Sequence, residues 1–336
     1  IVPHPYTEFG SILEELPIAI FDFEDIKGQE QAKRAMEIVA AGHHNIMLHG
    51  VPGAGKTMIA RALPSIMPTM SENEALEVTK IYSVTGNLPQ EKCLVTVRPF
   101  RSPHHTTSRI GLIGGGSYPS PGEISLAHRG VLFLDEIPEF ARDVLEALRQ
   151  PLEDGIVTIS RAAGTIQYPA QFLLVAAANP CPCGYFGSTT KPCTCVPAQI
   201  SRYQKKLSGP LLDRIDLHVQ INAVPLEKLS DVQPGEKSEI IRERVEKARK
   251  LQRMRFAGTN LHANGQMNSQ QVRKFCLLDE ESNNLLKKAA DQLHLTARAY
   301  FRVIKVARTI ADLAGDEEIK SRHIAEALQY RSLMHI

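Results

Sequence analysis

The feature that most constrains the fold is the segment Gly50-Val-Pro-Gly-Ala-Gly-Lys-Thr57, which fits the pattern G-x-x-x-x-G-K-[ST] of a phosphate-binding loop. The apolar residues 45–49 before it predict a buried strand, and residues 58–63 after it predict the start of a helix. A strand, a glycine turn and a helix N-terminus together surround phosphate oxygens with backbone N–H groups. A glycine-rich loop that arose by chance would lack these flanks, so the sequence predicts an α/β nucleotide-binding fold.

The phosphate-binding loop defines the first set of candidate site residues. In the motif, the lysine reaches the β- and γ-phosphates and the hydroxyl of the last residue holds Mg²⁺. We therefore expect ATP and Mg²⁺ as cofactors. The residues expected to bind the nucleotide are Gly50, Pro52, Gly53, Ala54, Gly55, Lys56, Thr57 and Met58.

Two later apolar runs end in polar residues that suit the same site. Residues 131–134 predict a central parallel strand, and Asp135 and Glu136 follow it directly. Ligands bind at the carboxyl ends of such strands, so Asp135 is predicted to hold the Mg²⁺ shell and Glu136 to orient or deprotonate the attacking water. Residues 172–178 predict another buried strand that ends at Asn179, whose amide is placed to position that water.

The rest of the chain divides into four predicted regions: an N-terminal arm or linker at 1–20, a nucleotide-binding core at 21–223, a linker at 224–236 and a helical domain at 237–336. Within the core, residues 93–97 predict a strand, 141–154 a helix and 156–168 a β-hairpin with Arg161 near its tip. After the linker, predicted helices cover 237–256, 269–276, 280–294, 296–314 and 320–333, with Thr296 capping the fourth and Gly315 ending it.

Four of the six cysteines lie in the loop 181–195 with the spacing C-x-C-x₉-C-x-C. Four thiolates this close suit a tetrahedral Zn²⁺, which would order a loop with little apolar content. Cys181, Cys183, Cys193 and Cys195 are therefore predicted zinc ligands; free thiols in a mobile loop or a redox pair remain alternatives. Cys93 and Cys276 stand alone and are expected to be buried thiols.

Composition limits the class of protein. The chain has 336 residues, 43% of them hydrophobic, which is enough for two domains with real cores, and no apolar run approaches membrane-spanning length. We expect a reducing, cytoplasmic location and no membrane partner. From Lys237 onward 19 Lys and Arg face 12 Asp and Glu, which favours either a polyanion partner or a solvated helical surface. His104 and His105 are either metal ligands or solvated side chains of a polar loop.

Taken together, these motifs resemble those of AAA+ ATPases, and more closely those of the ComM/YifB family of magnesium-chelatase-like proteins. The resemblance covers about residues 21–333 and implies an αβα sandwich with a parallel central sheet, followed by a smaller all-helical lid domain. Family members usually carry an N-terminal domain that resembles the Lon protease domain; it is missing here, so we expect a piece of a longer protein. The segments that carry the resemblance are residues 50–57, 121–128 with 131–136, 179–184, 209–216 and 297–300.

The resemblance also implies roles for individual residues in a homohexameric ring with ATP at subunit interfaces. Arg214 matches the arginine finger that reaches the neighbour's γ-phosphate, although a salt bridge to Asp213 or Asp216 is the alternative. Asn179 matches the sensor-1 position and Arg298 the sensor-2 position. Arg202 is a weaker candidate for an interface contact.

Two segments match insertions that face the central pore of related helicase rings: the hairpin 156–168 and the glycine-rich loop 110–120. Arg161 is then a candidate DNA phosphate contact, with an ordinary surface arginine as the alternative. The function implied is a DNA motor of the helicase or branch-migration type, acting in recombination or natural transformation. The alternatives are a chelatase-type motor subunit that remodels a protein partner for Mg²⁺ insertion into porphyrin, and a nucleotide-switched scaffold.

Overall fold

The structure, a computed structural model, describes residues 21–88, 93–116, 119–161, 164–188, 191–224 and 235–331. Its strands, in chain order, are β1 (Ile46–Gly50), β2 (Phe100–Arg101), β3 (Gly114–Gly115), β4 (Ser120–Pro121), β5 (Val131–Leu134), β6 (Ile156–Arg161), β7 (Gly164–Pro169), β8 (Leu173–Ala178) and β9 (Leu217–Ile221). The predicted arm at 1–20 and most of the predicted linker at 224–236 lie outside the described residues.

The helices of the first part of the chain are α1 (Glu30–Gly42), α2 (Lys56–Ala62), α3 (Glu72–Val84), α4 (Arg109–Ile113), α5 (Glu123–Leu126), α6 (Arg142–Ala147), α7 (Arg149–Asp154), α8 (Pro197–Gln204) and α9 (Gly209–Leu212). Those of the second part are α10 (Ser238–Arg255), α11 (Ser269–Phe275), α12 (Glu280–Gln292), α13 (Ala297–Ala314) and α14 (Ser321–Gln329). Single 3₁₀ turns occupy Phe23–Asp25, Leu63–Ile66, Ile137–Glu139 and Asn264–Gln266.

A five-stranded parallel sheet in the order β2-β5-β8-β1-β9 forms the centre of the first part. The first strand therefore lies inside the sheet, with β8 on one side and β9 on the other. Such a change in the direction of strand order opens a crevice at the carboxyl ends of the strands, where ligands bind. All six residues of β8 are buried, as expected for a parallel strand covered on both faces.

Helices cover both faces of the sheet, which confirms the predicted α/β class. On one face α1 and α2 pack on side chains such as Ile46, Leu48 and Val219. On the other face α6, α9 and the base of the β6–β7 hairpin pack on Met47, Leu134 and Leu174. Because alternate strand residues point to opposite faces, these two apolar sets interleave along the strands.

The second part is helical, and α10 and α13 pack against α1 of the first part. Thr296 accepts a hydrogen bond from the backbone N–H of Ala299 at the start of α13, and Gly315 ends that helix with φ 73°. Both capping predictions are confirmed. A partly buried ion pair between Arg255 and Asp312, 2.5 Å apart, joins α10 to α13. None of the described helices is long and apolar enough to span a bilayer.

Three local predictions are wrong. Residues 93–97 form no strand, because Leu94 and Val95 pack against α3 and the Val95 N–H donates to the Thr79 hydroxyl at 2.9 Å. Cys93 is exposed, whereas Cys276 is buried as predicted. The helix predicted over 141–154 is divided at Leu148 into α6 and α7, because the ring of Pro151 lacks an N–H and crowds the carbonyl four residues earlier.

Candidate active site

The phosphate-binding loop connects β1 to α2 and has the backbone that its glycines predict. Gly53 and Gly55 have φ of 78° and 94°, a region that other residues adopt only at a cost. At Gly50 a side chain would meet the backbone of β9, since a Cβ there would lie 2.3 Å from the Ile221 carbonyl oxygen. The loop therefore opens over the carboxyl ends of the strands, with the N-terminus of α2 below it.

Lys56 connects the loop to β8. Its ammonium group donates to the carbonyl oxygens of Gly50 and Val51, at 2.7 and 2.9 Å, and to Oδ1 of Asn179 at 3.0 Å. The side chain is only 8% exposed, and burial lowers its pKa, while the carboxylates of Asp135 and Glu136 act in the opposite direction. The predicted phosphate-binding lysine and the predicted water-positioning amide are thus in direct contact.

The predicted Mg²⁺ ligands also lie together. The Thr57 hydroxyl donates to Oδ2 of Asp135 at 2.8 Å, while Oδ1 of the same carboxylate accepts the backbone N–H of Glu136 at 2.9 Å. Glu136 has φ 50° and its side chain is exposed, so its carboxylate is free of the sheet. A hydroxyl and a carboxylate oxygen on a crevice are the hard oxygen ligands that Mg²⁺ takes beside nucleotide phosphates.

The motifs did not predict that His105 lies beside Glu136. Its Nδ1 is 3.9 Å from Oε2 of Glu136, and its ring packs edge-on against Phe140. His104 stacks on His105 and shares a hydrogen bond with the Thr106 hydroxyl. Neither histidine belongs to a metal-binding cluster in the described chain. Two consecutive histidines in a long polar loop indicated a candidate functional site, but the sequence did not show which side chain they approach.

The four cysteines of the loop 181–195 converge, with all four sulfur atoms within 4.8 Å of one another. Cys181 and Cys183 are 3.4 Å apart, and Cys193 is 3.7 and 3.5 Å from them. Tetrahedral Zn²⁺ with bonds of about 2.3 Å separates its sulfur ligands by about 3.8 Å. The geometry therefore fits a zinc ion.

Backbone amides complete this cysteine cluster. The N–H groups of Phe186, Cys183 and Cys195 donate to sulfur atoms of Cys181, Cys195 and Cys193, at 3.3 to 3.4 Å. Such donors favour thiolates over thiols, which is the form that binds a metal.

The cysteine cluster packs directly on the phosphate-binding loop. A Cβ at Gly184, where φ is 85°, would lie 2.5 Å from Cγ and 2.6 Å from Cδ of Pro52. In addition, Gln204 of α8 donates to the carbonyl oxygen of Pro180, between Asn179 and Cys181. The cluster and the nucleotide site therefore share one wall.

Arg214 and Arg298 lie near the amino ends of the strands, at the opposite end from the phosphate-binding loop. The Arg214 carbonyl accepts from the Asn45 side chain at 3.1 Å, just before β1, whereas the phosphate-binding loop follows β1. The five residues of β1 span about 16 Å. Arg302, one turn after Arg298 on α13, bonds to Asp216 at this same end of the strands.

Glu153 holds both arginines, and no sequence motif marked it. It forms an ion pair with Nη2 of Arg214 through Oε2 and approaches Nη2 of Arg298 through Oε1 at 3.5 Å. Nη1 of Arg214 also donates to the Pro210 carbonyl oxygen at 2.6 Å. The alternative partners predicted for Arg214, Asp213 and Asp216, are not the ones it uses among the described residues.

The two segments that match pore insertions lie against each other. In the β6–β7 hairpin, residues 156–161 pair with residues 164–169, and the Tyr168 hydroxyl donates to the Pro119 carbonyl oxygen at 2.8 Å. Arg161 ends β6, but its side chain lies outside the described part of the structure. Arg202 is exposed on α8 and lines an open groove with Arg142 and Lys205.

Comparison with known proteins agrees with this geometry. Residues 22–229 match the family described as magnesium chelatase, subunit ChlI, and residues 235–331 match the C-terminal part of the same subunit. The first match ends and the second begins around the segment 225–234, which is not described.

Individual relatives cover nearly the whole chain. It is 46% identical over 316 residues to competence protein ComM of Haemophilus influenzae and 46% identical over 313 residues to the uncharacterized protein YifB of Escherichia coli. These alignments cover 94% and 93% of the chain but 61% and 60% of the relatives. A magnesium-chelatase 38 kDa subunit of Cereibacter sphaeroides is 26% identical over 48% of the chain and 53% of its own length.

Proposed function

The chain belongs to the magnesium chelatase subunit ChlI family, and from that premise we propose that it is the ATP-hydrolysing module of a ring motor acting on DNA. The proposed ATPase activity rests on two hydrogen bonds at the carboxyl ends of the strands. Lys56 contacts Asn179, and Thr57 contacts Asp135. These are the groups that phosphoryl transfer to water requires, on adjacent strands and within hydrogen-bonding distance.

Each residue has a defined task in this reaction. The loop N–H groups and Lys56 bind the phosphates, so Lys56 must exchange the carbonyl oxygens of Gly50 and Val51 for phosphate oxygens. Thr57 and Asp135 would hold Mg²⁺, which supplies neutralising charge to the phosphates. Glu136 accepts the proton of the attacking water, and Asn179, once released by Lys56, orients that water.

Assembly into a ring is supported by the positions of the phosphate-binding loop and the two arginines, which lie at opposite ends of the strands. Arg214 and Arg298 are fixed near the amino ends, away from their own phosphate-binding loop. Two arginines held close together by one carboxylate suit the charge that develops in phosphoryl transfer. A head-to-tail arrangement, in which each copy offers its arginines to the next copy's nucleotide, generates a ring where the rotation between copies closes.

DNA as the substrate is supported by the competence protein to which the chain is similar and by the projecting hairpin. β7 is exposed over its first four residues, and Tyr168 ties the hairpin to the segment around Pro119. A motor of this kind grips phosphates without reading sequence, so its DNA binding weakens steeply as salt rises. Arg161 is our candidate for a phosphate contact.

We further propose that the cysteine cluster holds one structural Zn²⁺. Four sulfur atoms at near-tetrahedral separations, with three backbone N–H groups aimed at them, support this assignment. The ion would fix the loop that packs on Pro52.

The decisive experiment measures ATP hydrolysis with no DNA and with single-stranded, duplex and forked DNA, at two salt concentrations. We expect strong stimulation that falls at the higher salt and is lost in Arg161→Ala. Arg253→Ala is the matched control, because Arg253 is an exposed arginine on α10, far along the chain from the hairpin.

Hydrolysis that no DNA stimulates would refute the DNA motor. Stimulation instead by a protein partner of a chelatase would favour the alternative that the distant relative raises, a motor subunit for Mg²⁺ insertion. Absence of ATP hydrolysis under every condition would refute the motor itself.

A further inference from the structure

The carboxylate of Glu153, at the end of α7, contacts both Arg214 and Arg298. Oε2 pairs with Arg214 and Oε1 with Arg298, which come from different parts of the fold: the turn before β9 and the first turn of α13. Glu153 therefore bridges the sheet domain and the helical domain at the point where both contribute a cation.

The three side chains differ in exposure in a way that suits an interface. Arg214 is 8% exposed, whereas Glu153 and Arg298 are 51% and 58% exposed. The guanidinium of Arg214 has five N–H donors, and Glu153 and Pro210 each accept from one of its two Nη groups. One anion between two cations leaves a surplus positive charge and unused donors, which is the arrangement needed to receive a phosphate.

We propose that Glu153 is a positioning residue that holds Arg214 and Arg298 side by side as one cationic pair for the nucleotide of a neighbouring copy; this rests on the proposed ring motor. Arg214 has no other carboxylate partner among the described residues, so Glu153 fixes its direction. Because Arg298 lies on the helical domain, the same contact joins that domain to Arg214 at the interface.

The variants that test this role are Glu153→Ala, which removes both contacts, and Glu153→Gln, which keeps an oxygen acceptor but removes the charge. Asp154→Asn is the matched control, because Asp154 is the exposed next residue and has no ion pair in the described structure. We expect kcat to fall about tenfold or more in Glu153→Ala and less in Glu153→Gln, with KM for ATP nearly unchanged, since each chain's own phosphate loop is intact. Asp154→Asn should match the unmodified protein.

A mutant cycle separates positioning from a merely structural role. If Glu153 acts through Arg214 and Arg298, adding Glu153→Ala to a variant that already carries Arg214→Ala and Arg298→Ala should slow hydrolysis no further. Multiplying effects would overturn the proposal, as would a higher rate in Glu153→Ala, which would mean that the carboxylate withholds the arginine from the phosphate. Thermal unfolding of each variant shows that the fold is kept.

Mixing experiments test whether the effect crosses between copies. Glu153→Ala subunits keep their own ATP site, and Glu136→Gln subunits keep their arginines, so a random equal mixture should regain about a quarter of the unmodified rate. The same mixture made with Arg214→Ala tests the ring itself. Recovery with Arg214→Ala but not with Glu153→Ala would overturn only the role of Glu153, whereas recovery with neither would overturn the proposed ring motor.

Discussion

Gly184 provides a sharp test of whether the cysteine cluster supports the nucleotide site. An added Cβ would lie 2.5 Å from Cγ of Pro52, whereas ordinary contacts begin at 3.4 Å, so the two loops must separate by about 0.9 Å in Gly184→Ala. The phosphate-binding loop is one of the two partners, and a misplacement of about 1 Å costs about 100-fold in rate. We therefore expect kcat/KM for ATP to fall between about tenfold and 100-fold.

Gly187 in the same loop is the matched control. It also has a positive φ, 75°, but a Cβ there meets nothing within 4 Å. Both alanine variants bear the cost of a left-handed residue, about 1 kcal/mol of unfolding free energy, and Gly184→Ala adds the cost of the clash with Pro52, about 1 to 3 kcal/mol. Only Gly184→Ala should weaken ATP use.

The assay compares binding of a fluorescent ATP analogue and steady-state hydrolysis in both variants, with metal content measured in parallel. Adding Pro52→Ala to Gly184→Ala removes Cγ and Cδ and leaves the nearest Pro52 atom at 4.0 Å, so it should restore activity toward that of Pro52→Ala alone. Equal ATP kinetics in Gly184→Ala and Gly187→Ala would refute the coupling between the two loops.

Three further predictions concern the site and its surroundings. Glu136→Gln should keep ATP binding but slow turnover by about 100-fold or more, because a proton acceptor is lost; unchanged hydrolysis would remove Glu136 from that role. Elemental analysis should give about one Zn per chain, and Cys193→Ser should lose the metal; a metal-free protein with full stability and activity would contradict the zinc assignment. Burial, with the charges of His49 and Arg331, lowers the pKa of His218 to about 3, so the neutral ring stabilises the fold above pH 6.5 and this stability is lost as pH falls toward 3. Between pH 7 and pH 5 the unmodified protein should therefore lose about 2 kcal/mol more unfolding free energy than His218→Leu in urea titrations, and equal losses would show that His218 does not titrate in this way.

Local patterns predicted the parts of this protein whose structure is decided locally. The glycine turn, the apolar runs at β5 and β8 and the caps of α13 each depend on a few consecutive residues, and each is found where expected. The strand predicted over 93–97 is wrong because the segment has the apolar composition of a strand but its apolar side chains pack against α3. The edge strand of the sheet is instead β2, which has only two residues, Phe100 and Arg101. Such a short strand has no recognisable sequence pattern.

The site was predictable where one motif contained the chemistry and not where distant segments met. The spacing of the motifs predicted that Lys56, Thr57 and Asp135 belong to one site, and the structure brings Thr57 and Asp135 into contact next to Lys56. The approach of His105 to Glu136, of Gly184 to Pro52 and of Glu153 to Arg214 depends on the packing of separate loops and helices. No periodicity or composition near Glu153 distinguishes it from an ordinary glutamate at a helix end, so only the three-dimensional arrangement identifies it.

Asn45 connects the segment that contains Arg214 to the strands that lead to the phosphate-binding loop, so we expect the two ends of these strands to move together. Its amide nitrogen donates to the Arg214 carbonyl at 3.1 Å, its Oδ1 accepts the Leu174 N–H at 2.9 Å, and its backbone N–H donates to Asp216 at 3.0 Å. The same residue precedes β1, which ends in the phosphate-binding loop, and Leu174 lies in β8, which ends at Asn179. One residue thus fixes the base of strands β1 and β8 and the backbone of Arg214, the arginine proposed to act on the next copy. Because parallel strands with buried faces do not bend easily, a change at the nucleotide should reach Arg214 as a rigid rotation of the whole sheet domain against its neighbour.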